Sequence, residues 1–194
     1  MMEQNKKEIR NIAAEVTVDE ESRKVEGYAL LFNVPSDGLD FEEVIEPRAL
    51  DGVIEKSNVF ALLNHDERRG ILARSKKGEG TLSLTVDGKG LRYRFDAPRT
   101  ALGDELLEYL KRGEVTESSF AFTVAEDVWE KKGETWKRTI KKIDELYDVS
   151  PVYDAAYSKT TVYMRGKEQL EQELREQRER ELDAYYTNLN KFLN

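Results

Sequence analysis

The sequence predicts an α+β fold, mainly antiparallel β-structure flanked by helices and followed by a charged helical extension. Three observations carry that expectation. Short segments rich in β-branched and aromatic residues recur between polar turns over the first 165 residues. Among them lies one clearly amphipathic segment, "TALGDELLEYLKRG". After Gly166 the composition turns to Glu, Arg, Gln and Leu, with no further Pro or Gly. A chain of 194 residues suits one domain with an appendage. The expected division is a globular part over residues 1–165 and a tail over 166–194.

Taken in order, residues 9–18 and 23–33 read as a hairpin, because "IAAEVTV" and "KVEGYALLF" flank the polar turn Asp19-Glu20-Glu21-Ser22. "NVPSDGLD" reads as a loop broken by Pro35 and Gly38. Pro47 opens "RALDGVIEK", a short helix by its spacing. Residues 57–64 form an apolar run too short for a typical helix, which suits a strand buried on both faces. "TLSLTV" and "GLRYRF" alternate cleanly around Asp87-Gly88-Lys89-Gly90 and predict a second hairpin. In the amphipathic segment Leu102, Leu106, Leu107 and Leu110 share a face, Thr100 can cap the start and Gly113 the end. Strand signals resume at 115–126, 134–143 and 145–153, with "TTVYMR" as a last candidate. In the tail Leu170, Leu174, Leu182, Leu189 and Leu193 fall near one helical face, interrupted by Arg178. So thin a stripe suits a helix that needs a partner surface, or a solvated extension.

Composition narrows the function. The net charge is −8, which disfavours a nucleic-acid-binding surface, and no apolar run approaches membrane-spanning length. "MMEQNKKEIR" lacks the apolar segment of a secretory signal. There is no cysteine and one histidine, so disulfides, thiolate catalysis and the usual zinc sites are not expected. Carboxylate sites for magnesium or calcium lack a recognisable loop spacing. No cofactor is expected. Any enzyme chemistry falls to hydroxyls, carboxylates, lysines, arginines, tyrosines and a single imidazole.

That imidazole, His65, ends the apolar run of "FALLNHDERRG". Beside an Asp it reads locally as a solvated loop residue. "VTESSFAFTV" offers two adjacent serines in a strand. Alternation puts Ser118, Phe120, Phe122 and Val124 on one face, and Glu117, Ser119, Ala121 and Thr123 on the other. With the phenylalanines facing the core, Ser119 is expected on an open face beside the small Ala121, where a nucleophile could meet a substrate; an ordinary polar strand face is the plain alternative. "IDELYDVSPVYDAAYSKTTV" carries Asp144, Glu145 and Asp148, of which Asp148, between Tyr147 and Val149, is the most enclosed. A carboxylate inside a β core needs a cationic or imidazole partner, because an unpaired buried charge is costly; a surface pair with a nearby Lys or Arg is the alternative.

Together, "NHD" closing an apolar strand, "SFAF" after an amphipathic helix and "RG", and "IDELYDVSPVYDAAYSKT" resemble the prohead proteases of tailed bacteriophages. "EGYALLFN" and "FEEVIEPRAL" resemble that family's opening, so the likeness runs from about residue 10 to 163 in order. The resemblance implies a mainly antiparallel β-barrel flanked by helices, similar in fold to the herpesvirus maturation proteases, with a serine nucleophile. Carried over by position, the family's catalytic histidine falls on His65, its nucleophile on Ser119 and its acidic member on Asp148. Three positions depart from the pattern. Asp148 stands where Glu is commoner, Ala121 replaces a Gly between the phenylalanines, and "YDAAY" lacks the Pro common before "AY". None removes a reactive group.

Chemically the trio is coherent. A serine hydroxyl needs a base to become nucleophilic, an imidazole can take its proton and return it to the leaving amine, and a carboxylate fixes the ring's tautomer. The oxyanion hole is open between backbone amides and Arg68, Arg69 or Arg74. The resemblance further implies an endopeptidase packaged in the prohead, in the host cytoplasm, which cleaves the scaffolding part of the capsid precursor and itself. Self-association is open; nucleic acid and membrane are not expected partners. The rival reading is a non-catalytic assembly factor on the same fold, binding coat protein through the tail.

Overall fold

The computed structural model describes residues 6–12, 16–19, 22–36 and 39–153. The chain divides into two units, residues 1–158 and 159–194, and every described residue lies in the first. The strand candidate at 160–165 and the tail at 166–194 lie outside the described residues.

Eleven strands and one α-helix occur among the described residues. They are β1 (Glu8–Ile12), β2 (Thr17–Asp19), β3 (Lys24–Leu31), β4 (Glu42–Ile45), β5 (Asn58–Ala61), β6 (Ala73–Lys76), β7 (Glu79–Gly80), β8 (Ser83–Val86), β9 (Gly90–Asp96), α1 (Ala101–Arg112), β10 (Glu117–Lys132) and β11 (Thr135–Val152). One sheet runs β1-β10-β11-β5-β6-β7 with β4 also on β11; the other runs β2-β3-β9-β8. The structure is therefore mainly β, as expected, but the sheets remain separate and do not close into a barrel. The ladders show why: among the described residues β1 pairs only with β10, and β3 pairs with β2 and β9, so no described hydrogen-bonded strand joins the two sheets.

Local chemistry explains most elements. In α1 the Thr100 side chain accepts from the Gly103 N–H, and Lys111 and Arg112 close the last turn before Gly113. Leu106 and Leu110 face the core. The hairpin β8–β9 turns at Asp87, whose Oδ1 accepts from the N–H groups of Lys89 and Gly90 at 2.8 and 3.1 Å. The helix expected after Pro47 is only a 3₁₀ turn, Pro47–Leu50, followed by turns. Gly52 sits at φ 71°, which interrupts a right-handed helix.

Two further expectations change. Residues 9–18 are not one hairpin arm: β1 joins β10 in the larger sheet, and only β2 forms the hairpin with β3. Alternating sequence does not encode a partner, and here Arg10 of β1 finds Glu43 of β4, 33 residues away. The segments at 134–143 and 145–153 are one strand of 18 residues, β11. Its length lets it take two parallel partners end to end, β4 along residues 137–140 and β5 along 148–149.

The core cluster gathers Val25, Leu30, Leu91 and Tyr93 from the smaller sheet with Phe120, Phe122, Ile143, Leu146 and Val149 from the larger. Phe120 and Phe122 stack with centroids 4.8 Å apart. Gly27 matters for this packing, because a Cβ there would lie 2.7 Å from the Tyr93 hydroxyl. That open space lets Tyr93 lie flat and reach Ser118.

Candidate active site

Three elements of the larger sheet bring the candidate residues together. Ser119 is the third residue of β10, Asp148 lies near the end of β11, and His65 follows β5. Ser119 pairs with Ser150 across the β10–β11 ladder, and Asp148 pairs with Phe60 of β5. These registers place all three residues at one end of the sheet. The chain leaving β5 stays tied to β11, with Leu62 N–H donating to the Val149 carbonyl at 3.3 Å and Asn64 N–H to the Pro151 carbonyl at 3.0 Å. It then turns sharply. Asn64 and His65 both adopt left-handed backbone conformations, φ 55° and 58°. Two consecutive non-glycine residues there are unfavourable, each by about 1–3 kcal/mol, and such strain concentrates at functional sites.

The turn swings the imidazole between the other two side chains. His65 Nδ1 lies 2.5 Å from Asp148 Oδ1, and His65 Nε2 lies 2.5 Å from Ser119 Oγ. The carboxylate can only accept, so Nδ1 carries the hydrogen and Nε2 presents a lone pair to the hydroxyl. Ser119 Oγ also donates to the Arg10 carbonyl at 2.9 Å. A hydroxyl has one proton, so two acceptors compete for it.

Asp148 is 2% exposed and accepts from Ser150 Oγ at 2.8 Å through the same Oδ1 that faces the ring. Lys7 Nζ lies 3.5 Å from its other oxygen. Burial pushes this carboxyl pKa up, but hydrogen bonds from His65 and Ser150 and the charges of His65 and Lys7 hold it below the ordinary carboxylate value. It is an anion at neutral pH, suited to stabilise an imidazolium. Asp144 pairs instead with Lys56 at the surface, at 3.1 Å.

The alternation argument assigns the two serines correctly to different sides. Ser118 turns toward the core and its Oγ lies 2.9 Å from the Tyr93 hydroxyl. Burial raises the Tyr93 phenol pKa, the Ser118 hydrogen bond opposing it, so this pair is neutral. The expected openness of the Ser119 face is not found: Ser119 and Ala121 have no exposed surface. The physical reason is that β1 lies alongside β10 here, Asn11 opposite Ser119, while His65 folds over the hydroxyl.

The arginines raised as oxyanion donors have other partners. Arg68 is turned onto Asp66, Arg69 onto Glu105, and Arg74 onto Asn58 and the Phe60 ring. Among the described residues no group of three or more His, Asp or Glu side chains is arranged to hold a metal ion.

Sequence reasoning missed Ser150, Lys7 and a buried ion network beside the site. Ser150 was within reach, since it lies two residues from Asp148 on the same strand face. The network was not. Arg10 holds Glu43 through Nε and Nη2 at 2.6 and 2.9 Å, and Arg138 Nη1 bridges Glu43 at 3.0 Å and Glu8 at 2.6 Å. Arg138 Nε also reaches Asp127 at 2.6 Å. Burial alone would lower both guanidinium pKa values, but Glu43 for Arg10 and Glu8 for Arg138 outweigh it and raise them. Glu8 is held below the ordinary carboxylate range: burial pushes it up, and its hydrogen bond and charge pairing with Arg138 and Arg10 reverse this. The Arg10–Glu43, Arg138–Glu43 and Arg138–Glu8 pairs span 33 to 130 residues, with no local signal to connect them.

A hydroxyl, an imidazole and a carboxylate joined in series is the constellation used by serine hydrolases. The chain belongs to the caudovirus prohead serine protease family, whose model matches residues 10–176. The capsid assembly protease gp21 of bacteriophage T4 is similar in fold, with a TM-score of 0.50 at 12% identity, over 78% of this chain and 100% of that one. No curated protein sequence matches the chain. Among the described residues no helix is long and apolar enough to cross a membrane.

Proposed function

We propose that this chain is a prohead maturation endopeptidase in which Ser119 is the nucleophile, His65 the general base and acid, and Asp148 the residue that orients the ring. The single observation that supports this most is His65, the only histidine, bridging Ser119 and Asp148 at 2.5 Å on each side. Family membership supports a capsid precursor as the substrate class. The reading takes the scaffolding part of the capsid precursor, and the chain itself, as substrates, with the host cytoplasm and then the prohead interior as the place of action. The tail over residues 166–194 is taken as a targeting element separable from catalysis.

His65 Nε2 takes the Ser119 proton as Oγ attacks the scissile carbonyl, forming a tetrahedral intermediate and an imidazolium paired with Asp148. That imidazolium protonates the leaving amine as the C–N bond breaks, leaving an acyl-enzyme. A water then repeats the sequence, giving its proton to Nε2 and releasing the acid. Productive attack requires the Ser119 proton to face Nε2 rather than the Arg10 carbonyl. It also requires the chain around Ser119 to open, since the residue has no exposed surface.

Incubating purified protein with its capsid precursor and mapping the cut sites tests the reading. Discrete cuts that vanish in Ser119→Ala are expected. Binding of the precursor without any cleavage would instead favour the non-catalytic assembly factor.

A further inference from the structure

Ser150 is absent from the chemistry above, yet it touches two of its members. It lies on β11 two residues beyond Asp148, so the pleat sends both side chains to the same side of the strand. It has no exposed surface. Its Oγ lies 2.8 Å from Asp148 Oδ1 and 3.2 Å from His65 Nδ1.

Proton accounting fixes the roles. A carboxylate offers no proton, so Ser150 donates its only one to Asp148 Oδ1. Its lone pairs then face Nδ1. The imidazole nitrogen therefore meets acceptors on both sides, Asp148 Oδ1 and Ser150 Oγ, and must be the protonated nitrogen of a neutral ring. Oδ1 in turn receives two hydrogen bonds, which pins the carboxylate's rotation. Its other oxygen has a looser tether: Lys7 Nζ stands 3.5 Å away, is 42% exposed, is 4.0 Å from Glu67 and lies 5.2 Å over the Tyr147 ring. Without Ser150 the only fixed partner of the Asp148 carboxylate among the described residues would be the ring it is meant to hold.

We infer that Ser150 is a positioning residue: held between Asp148 and His65, it fixes the carboxylate so that the ring keeps its hydrogen on Nδ1 and presents a bare Nε2 to Ser119. This rests on the proposed serine-protease reading for its catalytic consequence, but not for the tautomer itself. A wrongly placed ring proton blocks proton abstraction without affecting substrate binding. The effect belongs in kcat, not KM.

The chain's one histidine makes the test direct. With ¹⁵N-labelled histidine, the ring nitrogens of His65 give the only imidazole signals in the spectrum, and their couplings to the ring hydrogens tell Nδ1 from Nε2 and so report the tautomer. With the ring neutral, wild type is expected to show a protonated Nδ1 and a bare Nε2. Ser150→Ala should redistribute the proton toward Nε2. It should also lower kcat on a peptide spanning a mapped cut site by about 10- to 100-fold, as for loss of a hydrogen bond to a charged group, with KM within about twofold. Ser150→Thr, which keeps the hydroxyl and suits a strand, should restore the wild-type tautomer and most of kcat. An unchanged tautomer in a folded Ser150→Ala protein overturns the inference, whatever happens to kcat. If Ser119→Ala abolishes cleavage while Ser150→Ala changes neither tautomer nor kcat, this inference alone fails. If Ser119→Ala still cleaves, the protease reading fails and the tautomer result stands by itself.

Discussion

Arg10 belongs to two buried polar clusters at once, and they differ in how completely their groups are satisfied. Its guanidinium enters the ion network, where Glu43 accepts from Arg10, Arg138 and Ser36. Its backbone carbonyl enters the candidate active site, where it competes with His65 for the one proton of Ser119. In the network every charge has fixed partners of opposite sign, and none of its residues has a left-handed backbone. In the site one proton has two acceptors, and the imidazole sits on a left-handed turn. A saturated cluster holds the fold together. An unsaturated one, held by strain, retains a proton that can move.

The largest effect should come from breaking the site and not the network. Ser119→Ala is expected to lower peptide cleavage by a factor on the order of 10⁴ to 10⁶, with a melting temperature within a few degrees of wild type. Cleavage assays and a thermal melt on the same preparation would check both halves.

Breaking the network should do the reverse, acting on stability first. Glu43 has no exposed surface, so Glu43→Ala removes a shared buried carboxylate and leaves Arg10 with Glu8, and Arg138 with Glu8 and Asp127. A loss of about 1.5–3 kcal/mol is expected, as for hydrogen bonds to a charged group, or roughly 5–10 °C in melting temperature for a domain of this size. Chemical denaturation would show it. A loss below about 1 kcal/mol would mean the two arginines find water or other partners.

The two clusters should also share an acid limit. Asp148 and Glu8 both have carboxyl pKa values below their ordinary ones, Asp148 through His65 and Glu8 chiefly through Arg138, each against the effect of burial. The unfolded chain therefore binds protons at a higher pH than the folded one, and stability falls as pH drops. This contribution is complete above the unfolded carboxylate range of about 4 and is lost as pH falls through the lowered folded values. Melting temperature should be nearly flat from about pH 5 to neutral and then decline. Glu8→Gln should shallow that decline without changing the rate of cleavage per folded molecule.

The smallest effect separates neighbouring serines. Ser118→Ala removes a neutral hydrogen bond to Tyr93, worth about 1 kcal/mol, and should leave most of the cleavage activity. A dead Ser118→Ala beside a live Ser119→Ala would invert the strand facing on which the site depends.

Much of this was legible in the sequence because it was local. The cap at Thr100, the turn at Asp87 and the alternation through Ser118 and Ser119 each depend on residues a few positions apart. What failed was partner choice. β1 looks like the first arm of a hairpin, yet it pairs with β10, more than 100 residues away, because Arg10 is neutralised on that side. The barrel expectation failed for the same reason, since closure is a matter of which edges meet. The covered face of Ser119 follows from that pairing too. Ser150 was a different kind of miss: the alternation that placed Ser119 also places Ser150 beside Asp148.

The central claim is that Ser119, and no other hydroxyl, is made nucleophilic by His65. Diisopropyl fluorophosphate phosphorylates activated serines, and peptide mass mapping would locate the adduct. One adduct on Ser119 is expected in a protein competent to cleave, lost in His65→Ala and retained in Ser118→Ala. An adduct on another residue, or undiminished labelling of Ser119 after His65→Ala, would contradict the account.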